Sequence, residues 1–390
     1  MSRIDLVEVH EIAWEMENVS PDGSGFNIVC NPGTNTTLSK FVVVIGTEDG
    51  SRGEYVAQWG GSKTSLSQVL AVAPLLLGRD ALERELFYDD FKRHMRHLDR
   101  MGLGLIDIAL WDLAGKRANQ SVSQMLGGYR KRLPSYASTF HGDRNGCLST
   151  PEAYADFAEQ CYEMGYRAFK MHGWTEGNAT EEAATVRLLG KRVGERMSLM
   201  IDPACELRTF NDTLIVGRAC DDAGFMWLED PMRDGGHSAQ LHRKLRQLIH
   251  TPLLQGEHIR GLEVKADLIA AEGTDFLRSD PEYDLGITGA MKIAHLGEAF
   301  GLDVEIHASG PAHRACMSAM RNSNYYEVAL VAPKCGNALP PVYADGYSDE
   351  LDCIGQDGCV PVPQGPGLGV TYDWDWIRSH TTQTHRFGRH

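Results

Sequence analysis

The chain has no long apolar run, no excess of positive charge and no paired cysteine motif, and each absence narrows what it does. Nowhere do some twenty apolar residues follow one another, as a bilayer-spanning helix requires, and the first residues carry no apolar signal core. A soluble, cytoplasmic protein is the expectation. Acidic residues outnumber basic ones, 53 against 38, for a formal charge of −15, which argues against broad electrostatic contact with nucleic acid or an anionic membrane. It leaves room for an anionic small molecule, because a divalent cation and a few local Lys or Arg residues reverse the field inside one pocket. The nine cysteines are odd in number and scattered, with no CxxC pair. They read as reduced thiols, and Cys205, just after Asp202, reads as a small packed side chain.

What is present is 390 residues, 42% of them hydrophobic, enough for a large barrel and a smaller second domain. Residues 1–132 begin with β-formers at 4–11 and 41–46 and a tight Asp49-Gly50 turn. They continue with helical periodicity through 70–77, 82–97 and 104–117, which predicts an α+β domain. Strand candidates then recur at 136–139, 168–172, 199–202, 226–229, 253–257, 276–280, 304–307 and 325–328, each followed by a helical stretch. The spacing is that of βαβ units, and eight of them predict a closed parallel barrel over 133–345. Residues 346–390, with Pro366-Gly367-Leu368-Gly369-Val370, Trp374 and Trp376, read as an ordered extension packing on the first domain.

The barrel strands end in charged residues: Lys170 and His172, Asp202, Glu229, Glu257, Asp280, His307 and, in the last strand, Glu327. Chemistry in such barrels sits at the C-terminal strand ends. Asp202, Glu229 and Glu257 end three consecutive strands, so their carboxylates converge. Three hard oxygen donors suit Mg²⁺ better than zinc. Alternation places Lys170 and His172 on one strand face, toward the interior. His94 and His97 are three apart on a predicted helix but have no third ligand.

Four stretches are specific enough to name a family: the helical run from Gly104 to Lys116 with Trp111-Asp112, the strand ends Leu228-Glu229-Asp230-Pro231 and Gly256-Glu257-His258, and the tail motif. With them the chain resembles the enolase superfamily, in its mandelate racemase subgroup. The resemblance implies an α+β capping domain over a modified TIM (β/α) barrel, Mg²⁺ on Asp202, Glu229 and Glu257, and removal of a proton α to a carboxylate. Asp280 and His307 match the family's Asp/His dyad, in which the Asp fixes the imidazole tautomer and raises its basicity. Glu327 matches the acidic residue that, when protonated, hydrogen-bonds the far oxygen of the substrate carboxylate.

The second barrel strand departs from the subgroup. Many members carry Lys-x-Lys; here the motif is Lys170-Met171-His172, so either His172 or His307 serves as the base, and Lys170 tunes His172 or orients the substrate. Analogy with the Lys-x-Lys dehydratases favours His172 as base and His307 as acid. Position 204 is Ala where relatives often have Asn. Substrate contacts are expected from the polar loops 21–37 and 58–63, through Trp59 and Lys63, and from His258 and His313 beside the strand ends. The function expected from the resemblance is an acid-sugar dehydratase yielding a 2-keto-3-deoxy acid, with a racemase, epimerase or lactone cycloisomerase of a hydroxy acid as the alternative. A non-catalytic metal-binding barrel is the alternative of another class. The expected partner is a small sugar or hydroxy acid, with no nucleic acid and no membrane, and the resemblance implies a homo-oligomer, often an octamer.

Overall fold

A computed structural model describes residues 2–25 and 27–388; Met1, Phe26, Arg389 and His390, which fall within the expected lid and terminal segments, lie outside the described residues. The N-terminal domain is built on a long antiparallel hairpin. Strand β1 (Ile4–Pro21) pairs with β2 (Ile28–Thr47) from Ile4 opposite Thr47 to Pro21 opposite Ile28, and β3 (Arg52–Val56) lies beside β2. Most of the stretch expected to be a loop at 21–37 is therefore strand. The base of the hairpin buries Val7, Val9, Ile12 and Val42 to Ile45, which leaves an apolar signal. Farther out the ribbon still buries Met16, Val19, Val29 and Cys30, but the β2 stretch of Thr34, Asn35, Thr36 and Thr37 buries no side chain. Ladder hydrogen bonds and β-branched threonines hold it, with no apolar period to read.

The helix Leu103–Ala118 is buried almost all round, because it lies between this sheet and the barrel helix Gly286–Ala299. Its seat is close: a Cβ at Gly104 would lie 2.5 Å from the backbone oxygens of Pro281 and Glu282, so only glycine lets the capping domain sit this low.

The barrel strands are β4 (Arg132–Thr139), β5 (Ala168–His172), β6 (Ser198–Asp202), β7 (Trp227–Glu229), β8 (Leu253–Gln255), β9 (Phe276–Ser279), β10 (Val304–Ile306) and β11 (Tyr326–Val331). They pair in the order β10-β9-β8-β7-β6-β5-β4-β11. Every pair is parallel. No ladder joins β10 to β11 among the described residues, so the eight-strand ring is nearly closed. Local sequence punctuates the units: Thr150, Asn178, Thr209 and Ser238 cap the following helices with their side chains, and Gly165 and Gly224 end helices in the left-handed conformation.

Side chains alternate along each strand, so the barrel interior is layered. Tyr136, Ala168, Met200, Trp227 and Leu254 form a buried apolar layer. Two residues further along the same strands come Lys170, Asp202 and Glu229, with Arg278 following Phe276 on β9, and all four are buried. The apolar layer is the floor on which the charged layer stands.

Residues beyond 345 join both domains. β12 (Cys359–Pro361) pairs with β4, Leu368 N–H donates to Asp112 Oδ1 at 2.9 Å, and β13 (Thr381–Gly388) adds an outer strand to β1. Trp374 and Trp376, from the helix Trp374–His380, stand edge-on to His10 and Trp14. Among the described residues no helix is long and apolar enough to cross a membrane.

The structure corrects the cysteine reading. Cys30, on β2, is disulfide-bonded to Cys147, in the loop after β4, and seven cysteines are free. The partners are 117 residues apart and in different domains. They meet because the hairpin reaches across the barrel mouth, and no spacing rule in the sequence expresses that.

Candidate active site

Ligand oxygens of Asp202, Glu229 and Glu257 lie within 4.8 Å of one another at the ends of β6, β7 and just past β8. Around them, Lys170 Nζ donates to Glu229 Oε2 at 2.9 Å, pairs with Glu327 Oε1 at 2.9 Å and reaches Asp202 Oδ2 at 3.5 Å. Arg278 Nε pairs with Glu229 Oε1 at 2.7 Å, and its guanidinium donates to Glu327 Oε2 and the Tyr136 hydroxyl at 3.0 Å each. Four carboxylates thus face two permanent cations, all of them buried except the partly exposed Glu257. Burial raises the pKa of Glu229 despite Arg278 and Lys170. Burial alone lowers the Lys170 pKa, but the Glu229 and Glu327 carboxylates outweigh it and hold the ammonium charged. The donor set is all hard oxygen, and a divalent cation balances the two uncompensated negative charges. The three carboxylates therefore fit Mg²⁺.

Glu327 departs from its expected protonated state. Although burial opposes ionisation, Lys170 and Arg278 hold its carboxyl well below the usual range, and Oε2 also accepts from Ala308 N–H at 2.6 Å. It is an ionised anchor between two cations, with no proton to donate to a substrate carboxylate.

On the β5 side, His172 Nδ1 is 2.6 Å from the Thr139 carbonyl, and Nε2 is 3.3 Å from Asp202 Oδ2. A carbonyl only accepts, so Nδ1 carries a proton. Tyr154 OH donates to the His172 carbonyl at 2.5 Å and fixes the strand end. The His141 ring lies 4.8 Å from that of His172. Burial, with His172 beside it, pushes the His141 pKa down to about 3.

On the opposite side, His307 Nδ1 is 2.7 Å from Asp280 Oδ2 and Nε2 is 3.4 Å from Glu257 Oε1. Burial works against its charge, but Glu257 and Asp280 raise its pKa to about 9. His313 does not face the cavity as a substrate contact would. It is fully buried behind Asp280, with Nε2 3.3 Å from Oδ1.

A cavity of about 1110 Å³ lies between the hairpin tip and the barrel loops, lined among others by Asp22, Ser24, Arg144, Glu206, Arg233 and His258. His258 also stands 3.9 Å from Glu257 and 4.0 Å from Asp230. The hairpin is docked over it. Thr175 donates to Asp22 at 2.7 Å, Val29 bridges to His141, Asn145 donates to the Cys30 carbonyl at 3.2 Å, and the disulfide lies beside these contacts. Trp59 and Lys63 are not part of this lining. The Trp59 ring packs under Lys40, with Nζ 5.7 Å from the ring centre, and Lys63 is an exposed residue opening the helix Lys63–Val72. The 58–61 loop is pinned to the barrel instead, where Gln58 and Gly60 N–H donate to Glu282 at 2.7 and 2.5 Å.

Sequence reasoning passed over Arg278, Tyr136 and His141. Arg278 had a signal, since it precedes Asp280 by two and shares its strand face. His141 follows the first barrel strand as other site residues follow theirs, but without a carboxylate partner to flag it.

Comparison with known proteins agrees with this arrangement. Residues 153–376 match the family described as Enolase C-terminal domain-like, and residues 26–127 match the Mandelate racemase / muconate lactonizing enzyme, N-terminal domain. A D-xylonate dehydratase of Haloferax volcanii is 24% identical over 367 residues, covering 88% of this chain and 85% of its own. A D-galactarolactone cycloisomerase of Agrobacterium fabrum is 26% identical over 333 residues, covering 81% and 84%. The crystal structure of D-glucarate dehydratase from Agrobacterium tumefaciens, complexed with magnesium, superposes with a TM-score of 0.85 at 27% identity over 98% of this chain and 100% of that one. With both family domains in place on this fold, the chain belongs to the enolase superfamily, in its mandelate racemase and muconate lactonizing enzyme group.

Proposed function

We propose that the protein is a Mg²⁺-dependent dehydratase of acid sugars, which removes the proton α to a carboxylate, expels the β-hydroxyl and releases a 2-keto-3-deoxy acid. The observation that carries this reading is the order of groups around the ring: imidazole and ammonium on β5, three carboxylates across β6 to β8, then the Asp280/His307 dyad after β9 and β10. A carboxylic acid held over the carboxylates has a proton-transfer group on either flank, as elimination of Cα–H and a β-hydroxyl requires.

Asp202, Glu229 and Glu257 would hold the metal, which supplies fixed positive charge where the substrate's carboxylate oxygens gain negative charge. The chain's own groups do the rest. Asp280 fixes the His307 tautomer, so that Nε2 exchanges the proton, and the Asp280 carboxylate favours the charged ring that a general acid for the departing hydroxyl needs. Lys170 and Arg278 pin Glu229 and Glu327 in place. The docked hairpin keeps bulk water from the carbanion.

The relatives named dehydratase favour elimination, whereas the cycloisomerase relative uses a name for a different outcome. The test is incubation with D-xylonate, D-gluconate and D-glucarate in D₂O with Mg²⁺. Dehydration gives a keto acid that semicarbazide traps. Exchange of the α-proton without keto acid means racemisation and overturns the dehydratase reading. Loss of calorimetric Mg²⁺ binding in Glu229→Gln checks the metal assignment, and retention of full affinity contradicts it. Light scattering on the purified chain tests the expected homo-oligomer.

A further inference from the structure

Asp230 stands outside the charge balance of the site. It directly follows Glu229, the last residue of β7, and with a φ of 29° it has left the strand conformation. The residue is fully buried, and among the described residues neither of its carboxylate oxygens meets a hydrogen-bond donor. The charges that act on it most are those of Glu257, Glu229 and Asp202, three repelling anions against the one cation of Arg278. Lys170 and Arg278 are already engaged by Glu229 and Glu327. A buried carboxylate without a partner is costly, and a bound cation removes that cost.

What faces Asp230 is a set of metal donors. One ligand atom each of Asp230, Glu257 and His258 lies within 4.8 Å of the other two. His258 Nε2 stands 4.0 Å from Asp230 Oδ2 and 3.9 Å from Glu257 Oε1, too far for hydrogen bonds. Donors around one tetrahedral ion with bonds near ~2.1 Å lie about 3.4 Å apart, and a small turn of the half-buried His258 ring closes the difference.

We propose that Asp230, Glu257 and His258 form a second cation site, which takes Zn²⁺ beside the Mg²⁺ of Asp202, Glu229 and Glu257. An imidazole with two carboxylates suits zinc, whereas the all-oxygen set suits Mg²⁺. Glu257 belongs to both groups, so its carboxylate is shared between the two ions of a two-metal site. Three protein ligands leave a fourth position for water or substrate. The open side of the set is that of His258, which lines the large cavity with Cys205 and Gly235, so an oxygen of the bound acid can take that position. The sharing of Glu257 rests on the Mg²⁺ assignment proposed above; the donors Asp230 and His258 do not.

The experiment counts ions bound to the full chain by elemental analysis after dialysis against excess Mg²⁺ with dilute Zn²⁺, and measures Zn²⁺ affinity by calorimetry. Co²⁺ in place of Zn²⁺ adds a spectroscopic readout, because its visible bands are intense in a tetrahedral site and faint in an octahedral oxygen one. Wild type is expected to hold two divalent ions per chain. Glu229→Gln, which loses the first site, should keep one ion with the intense Co²⁺ bands. Asp230→Asn and His258→Gln should each weaken that ion by more than the ~10–100-fold that loss of an outer partner costs, and circular dichroism checks that each variant is folded. A wild type with no ion sensitive to His258→Gln overturns the proposal, as does a second ion that survives both substitutions. A single ion lost in Glu229→Gln and His258→Gln alike also overturns it, since one mixed site then accounts for the binding. Mg²⁺ binding to which Zn²⁺ adds nothing removes only this inference. A His258-dependent ion in a wild type that binds no Mg²⁺ removes the Mg²⁺ assignment and leaves the Asp230 site standing.

Discussion

Lys170→Met separates an active-site ammonium that stabilises the barrel from one that is merely tolerated there. Methionine fills similar space without charge. In the native structure Lys170 is fully buried, 2.9 Å from both Glu229 and Glu327 and 3.5 Å from Asp202. Its loss leaves Arg278 as the one cation against the same carboxylates. Breaking a buried pair from one side costs about 3–5 kcal/mol, because the charge left behind has no water to turn to. The sign with pH follows from Glu327, whose pKa is depressed by Lys170 and Arg278. A depressed carboxylate stabilises the fold above its ordinary pKa of roughly 4.3, and that stability is lost as pH falls through the folded value. The variant loses much of this contribution, so its deficit is largest near neutrality and shrinks in acid. The assay is urea unfolding of metal-free protein, followed by circular dichroism at neutral and acid pH, with Lys170→Met/Glu327→Gln alongside. Removing the bared carboxylate should recover at least about 1 kcal/mol of the loss. A Lys170→Met deficit under about 1 kcal/mol, the range of an exposed pair, a deficit that grows in acid, or a double variant no better than the single one refutes the reasoning.

Three other outcomes follow. The unreduced, denatured chain should show seven reactive thiols and the reduced chain nine; closing a loop of 117 residues adds about 4–5 kcal/mol by chain entropy, so Cys30→Ser should lower the melting temperature, and nine thiols without reductant would contradict the tie. Glu182 is buried, and burial, opposed only in part by the Trp174 amide, raises its pKa to about 8. A raised carboxyl pKa costs nothing below its ordinary value and weakens the fold as pH rises toward the folded one, so Glu182→Gln should gain about 1–3 kcal/mol above pH 8 and little near pH 5; parallel melting-temperature profiles of the two proteins would count against it. Asp280→Asn removes the acceptor 2.7 Å from His307 Nδ1 and should cut kcat by about 10²–10⁴-fold; unchanged steady-state kinetics would show that the tautomer is set elsewhere.

The barrel was legible because its strands are short, apolar and end in charge: each observed strand overlaps its expected range, and Asp202, Glu229, Glu257, Asp280 and His307 do converge. What escaped reading depends on partners far away in sequence. On the outer part of β2, Thr34 to Thr37 bury no side chain, so that stretch left no apolar period. The expectation for Glu327 considered the substrate but not Arg278, which reaches it from β9 at 3.0 Å and reverses its protonation. His313 looked like a pocket residue because it follows His307 closely, yet the helix Pro311–Ala319 turns it inward behind Asp280. Lys63 looked like part of a lid because its neighbours are polar and rich in glycine, but it begins a helix capped by Ser62 and points to solvent.

The capping domain is tied to the chemistry through Glu282. This residue follows Asp280 by two, and its own N–H donates to Asp280 Oδ1 at 2.6 Å. Its buried carboxylate accepts the amides of Gln58 and Gly60 from the capping loop. Gly60 has to be glycine, since a Cβ there would lie 2.9 Å from the Glu282 Cβ and 3.0 Å from its Oε2. Asp280 is held on its other flank by His313 and faces His307. One chain of contacts therefore runs from the loop around Trp59 through Glu282 to Asp280 and the His307 ring. A loop displaced from Glu282 leaves a buried carboxylate without its two backbone donors, at a cost on the order of 1–3 kcal/mol for each lost partner. Seating of the capping domain and orientation of the dyad are thus coupled by hydrogen bonds on a single residue. In the reaction proposed above, the 58–61 loop acts by holding Asp280 and His307 in register, whether or not Trp59 ever touches the substrate.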